Sequence, residues 1–71
     1  MMTQPSPRPE EPDVHLSVQF HGLRLDFVAC LTAAALFARE WRATHHADAA
    51  EIVPGVTAGL PRLPNERLYL E

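Results

Sequence analysis

Two alternating runs face each other across His21-Gly22, and this arrangement restricts the fold more than any other feature of the chain. Val14, Leu16, Val18 and Phe20 are interleaved with His15, Ser17 and Gln19; beyond the break, Leu23, Leu25 and Phe27 are interleaved with Arg24 and Asp26. A period of two is the pattern of a half-buried strand. A two-residue loop ending in Gly suits a type I′ turn, and His tolerates positive φ better than most residues. That turn pairs Phe20 with Leu23, Val18 with Leu25 and Leu16 with Phe27, so every large apolar residue falls on one face. Gln19–Arg24 and Ser17–Asp26 fall on the other. A hairpin over residues 14–28 is expected. A helix starting near Asp26 would also collect Leu23 and Phe27 on one side, but it would leave residues 14–20 as a lone strand.

At Cys30 the period changes to that of a helix. Cys30, Ala34, Phe37 and Trp41 line one face, flanked by Leu31, Ala33 and Ala38, with Thr32, Arg39, Arg42 and His46 roughly opposite. Thr32 is the expected N-cap, and the Ala-rich run behind it has high helix propensity. Asp48 would fall on the apolar face of a straight continuation, so a break is expected near His46. Asp48 and Glu51 then resemble a capping box, which predicts a short second helix over residues 49–53, ended by Pro54-Gly55. Residues 54–66 carry Gly55, Gly59, Pro61 and Pro64 and read as an irregular return, anchored by Leu60 and Leu63. Residues 67–71 alternate once more and predict a short C-terminal strand, at the hairpin edge or against another subunit.

The expected fold class is α+β: a small β-hairpin followed by one amphipathic helix (ββα), a loop-rich return and a short C-terminal strand. Residues 14–71 form this single domain. Residues 1–13 hold four prolines and little to bury, and are expected to be a disordered tail.

Seventy-one residues make a marginal core. Natural chains of this size add disulfides, metals or a second subunit. Cys30 is the only cysteine, so a homodimer or larger assembly is expected. A lone thiol and the lack of a signal-peptide pattern point to the cytoplasm. The longest apolar run, residues 33–38, is too short to cross a bilayer. The net charge is −3, with six arginines and no lysine. Without a basic stripe the counterion-release term of nucleic-acid binding is missing.

The candidate chemistry is sparse. His45 and His46 are adjacent on a helix, so their side chains diverge, and neither zinc-type spacing occurs. His15 and His21 fall on the hairpin's polar side. Cys30 sits on the apolar helix face, where a thiol is ordinarily a core residue. Nothing places Glu40 with Glu51, or Asp26 with Glu66, as an acid–base pair, and the three glycines form no phosphate loop. No metal, cofactor or catalytic residue is expected, and the chain reads as a non-enzyme.

Trp and Arg dominate binding hot spots, which singles out Leu36, Arg39, Trp41 and Arg42 as candidate partner-binding residues. The expected function is a protein–protein interaction module, a regulator or inhibitor that blocks or adapts a larger protein. Its size and composition are like those of small inhibitors carried by bacteriophages and mobile elements. Two alternatives are an accessory subunit of a larger complex and a dimeric nucleic-acid-binding regulator using Arg24, Arg39 and Arg42.

Overall fold

A computed structural model describes residues 5–70. The hairpin forms as the alternation requires: β1 (Asp13–Phe20) pairs antiparallel with β2 (Leu23–Cys30), with Leu16 opposite Phe27, Val18 opposite Leu25 and Phe20 opposite Leu23. His21 and Gly22 both take positive φ, 53° and 78°, as the type I′ turn demands. The helix α1 (Leu31–Thr44) follows β2 without a loop and packs on the sheet face carrying Leu16 and Val18. Its inner surface is small, Ala33, Ala34 and Ala38, which lets the helix approach closely over Leu16, Val18 and Ala29. The result is an α+β fold, as the sequence pattern implies.

The third strand is a different segment from the expected one. Residues 49–53 are not a helix: β3 (Ala50–Val53) pairs antiparallel with the free edge of β1, giving the order β2-β1-β3. Ile52 and Val53 are β-branched and favour the pleated surface, and Glu51 sits opposite Ser17 within a ladder instead of closing a capping box. Conversely, the segment expected as a C-terminal strand holds the 3-10 helix Glu66–Tyr69; Glu71 lies outside the described residues. Asn65, at a left-handed φ of 58°, reverses the chain there and turns Glu66 inward. Leu68 is therefore exposed, whereas Tyr69 and Leu70 pack against the core.

Between β3 and the 3-10 helix the chain crosses to the far edge of the sheet. Val53 pairs with His15, His15 with Val28, and Val28 is bridged in parallel by Arg62. Leu63 is buried in the core as anticipated, while Leu60 is half-buried.

Helix entry is capped from a distance. Cys30 occupies the N-cap without a side-chain bond, so Thr32 lies inside the first turn and does not act as N-cap. The Glu11 carboxylate accepts the Thr32 N–H at 2.9 Å and the Thr32 hydroxyl at 2.5 Å, and Pro12 C=O accepts the Leu31 N–H. A carboxylate at a helix N-terminus is favourable for the unpaired N–H groups and the helix dipole alike. The segment preceding β1 thus supplies the first turn of α1 with its partners. The first four residues of the expected tail lie outside the described residues.

Candidate functional site

The two ends of the sheet differ in chemistry. At the end where β2 passes into α1, the return segment is tied down by charge. Arg62 donates to both oxygens of Glu66 at 2.8 and 2.9 Å and to both oxygens of Asp13 at 3.2 and 2.9 Å. The second Glu66 oxygen also accepts the Cys30 backbone N–H at 2.8 Å. The Arg62 and Glu66 side chains are 9% and 7% exposed. Burial pushes the Glu66 carboxyl upward, but Arg62 and the Cys30 N–H outweigh it and hold the group below the ordinary carboxylate range. Hydrogen bonding by Arg62 lowers Asp13, and the Arg62 guanidinium is raised by Glu66 and then Asp13. Every charge here has a partner, so this cluster is a clasp.

Cys30 lies inside that clasp, fully buried, and burial pushes its thiol up, with Glu66 adding to the effect. A raised pKa and no access to solvent are the opposite of what a nucleophilic cysteine requires. Of the two carboxylates considered as a pair, Glu66 belongs to the clasp. Asp26 instead meets His15 Nε2 at 2.8 Å and Arg24 Nε at 3.0 Å on the other face, where the His15 hydrogen bond comes first in lowering it. His15 is half-buried there, not the plain surface residue its position implied.

At the hairpin tip the apolar face runs out from under the helix. Phe20 and Leu25 are each 39% exposed and Leu23 is 63% exposed, although all three share the face of the buried Leu16 and Val18. The cause is placement: α1 lies over β1 and β3, where Arg42 Nε donates to Ala50 C=O, and the 3-10 helix sits beside α1 further down. No described residue covers the first half of β2, whose residues 23–25 are exposed.

An aromatic ladder borders this uncovered patch. Phe37 and Trp41 on α1 and His45 at its C-cap repeat at four-residue spacing and stack, with centroids 5.5 Å apart for the first pair and 3.8 Å for the second. Phe20 approaches Trp41 at 5.6 Å, and Trp41 Nε1 donates to Gln19 C=O at 3.2 Å. Phe20, His21, His45 and His46 also line a shallow concavity of about 160 Å³. Among the described residues, no group of His, Cys, Asp or Glu is arranged to hold a metal ion.

The four residues singled out by composition are not one site. Trp41 belongs to the tip patch. Leu36 and Arg39 lie on another side of α1, along an open groove with Leu31, Thr32 and Ala35. Arg42 is engaged as the clamp on β3. The residues that sequence reasoning assigned to the core and that stand exposed are Phe20, Leu23 and Leu25. No protein-family model matches the chain, and comparison with curated proteins and with solved structures finds no significant match. No helix among the described residues is long and apolar enough to cross a membrane.

Proposed function

We propose that this protein is a non-catalytic interaction module that docks onto a larger protein through the hairpin-tip patch of Phe20, Leu23, Leu25 and Trp41, and so blocks or adapts that partner. The observation that carries this reading is that Phe20, Leu23 and Leu25 adjoin on one face at the hairpin tip beside a half-buried Trp, whereas the other exposed large apolar residues, Leu31, Ile52, Val56 and Leu68, each lie on a different segment. Interface cores favour aromatic anchors surrounded by apolar contact area, and a contiguous apolar patch on a small protein marks an interaction surface. The chemistry of the interior supports the non-catalytic part: the thiol is buried and raised, and the buried charges are consumed in the clasp.

The test is a photo-crosslinking amino acid placed at Leu23 in the native host, with Arg67 at the other end as control. One protein captured at Leu23 and not at Arg67 is the expected result. With that protein purified, Leu23→Glu should abolish binding while leaving the melting temperature unchanged. Equal crosslinking at both positions, or normal binding by Leu23→Glu, would remove the tip patch as the docking surface.

A further inference from the structure

The docking patch borders a strand edge whose backbone is open. Val28 N–H donates to Pro61 C=O and Val28 C=O accepts from Leu63 N–H, so the backbone groups of Val28 point away from β1. Backbone direction in an antiparallel pair alternates with period two, so those of Arg24 and Asp26 point the same way. Among the described residues no group bonds to them. The return segment thus closes the edge of β2 at Val28 and leaves it open over residues 23–26.

Resting on the docking surface proposed above, we infer that this edge takes up an extended segment of the partner protein as an added antiparallel strand. Main-chain donors and acceptors supply affinity in such strand addition, and alternate side chains supply specificity. The pleat sets the chemistry of the segment. Residues opposite Arg24 and Asp26 lie on the polar face and are acidic and basic respectively; residues opposite Leu23 and Leu25 lie on the patch face and are apolar. Read from its N-terminus, the segment runs basic, apolar, acidic, apolar.

A second copy of this chain fits less well. Its own β2 has the right pattern, Arg24-Leu25-Asp26-Phe27, and would align Leu25 with Leu25. That register sets the incoming Leu23 opposite Phe27, and the parallel bridge between Val28 and Arg62 places Pro61 there. Pairing with β3 of another copy fails on the pleat. Gln19 N–H donates to Ala49 C=O, so the outward residues of β3 are Ala50 and Ile52, with side chains on the helix face. Joining the edges would lay Ile52 beside Arg24.

The experiment titrates the isotope-labelled full chain with the blocked pentapeptide Ac-RVEVT-NH2, which places no residue opposite Phe27, where Pro61 lies, and follows it by amide NMR. Shift changes centred on Leu23, Arg24, Leu25 and Asp26 are expected. The same peptide N-methylated at its arginine and glutamate loses the two N–H groups that face β2 and should bind about tenfold more weakly or not at all. Arg24→Pro removes the outward N–H together with the guanidinium that faces the acidic residue, and should cause at least as large a loss; Arg24→Gln, which keeps the N–H, should lose less. If the proline variant does not fold, the N-methylated peptide on the native chain decides the question alone. No shift at low-millimolar peptide, or equal binding of the N-methylated form, overturns strand addition. If the crosslinked partner then still binds in a manner lost in Leu23→Glu, the docking reading survives without it. A free chain that sediments as a dimer, and as a monomer after Arg24→Pro, would show the occupant to be a second copy and overturn the assignment to a partner.

Discussion

The two ends of the three-stranded sheet are built from the same hairpin and have opposite characters. At one, Arg62, Glu66, Asp13 and the Cys30 N–H close on each other, and Arg62, Glu66 and Cys30 are largely or wholly buried. At the other, the same apolar face continues past the helix and leaves Leu23 mostly in water. The difference shows that an apolar stripe does not define a core. A core is the part of a stripe that another element covers, and here the covering elements are anchored at the clasp.

The largest effect expected from breaking this contrast is at the clasp. Glu66→Ala leaves Arg62 largely buried with only Asp13, and strips Cys30 N–H of its acceptor. Removing one partner of a buried pair costs about 3–5 kcal/mol, enough to unfold much of a marginal domain, and urea titration followed by circular dichroism would measure it. A change below 1 kcal/mol, on the scale of an exposed pair, would mean the clasp is wet and the two ends are more alike than they look.

Leucines at the two ends provide the next comparison. Leu16 is fully buried, so Leu16→Ala should cost about 3–4 kcal/mol. Leu23→Ala, on the same face, should stay within about 0.5 kcal/mol of the native chain. Trp41 falls between them: half-buried beside Phe37 and Phe20, its removal should cost about 2 kcal/mol, less than for a fully buried aromatic.

Acid should act on the clasp first. The folded-state pKa values of Glu66 and Asp13 lie below their ordinary values. Their contribution is therefore complete above the unfolded carboxylate range, near pH 4, and is lost as pH falls through the lower folded values. Melting temperature should be level from neutrality down to about pH 5 and fall below about pH 4, with Glu66→Gln showing a shallower fall. A native chain whose melting temperature begins to drop near pH 6 would show that the clasp carboxylates do not govern the loss.

The smallest effect concerns Cys30. A buried thiol with a raised pKa should react with a disulfide reagent only as fast as the domain opens. Addition of Glu66→Ala should speed labelling, and Leu23→Ala should not.

Local pattern determined the hairpin, its turn at His21-Gly22, its register and the start of a helix directly behind it. These features depend on residues adjacent in sequence or paired across a two-residue turn, where the period of the side chains leaves one solution. The segments misread from sequence were those whose neighbours are distant. Residues 50–53 are too few to reveal a period, and they become a strand because the free edge of β1 accepts them. Residues 67–71 alternate, yet the chain coils over Glu66–Tyr69 because Glu66 has a buried guanidinium to meet. The candidate site divides the same way: Trp41 was legible as an anchor, but Phe20, Leu23 and Leu25 looked like core. Alternation fixes which face a side chain occupies, and only the tertiary structure decides how far along that face the helix reaches, because coverage depends on where the clasp holds elements far apart in the chain.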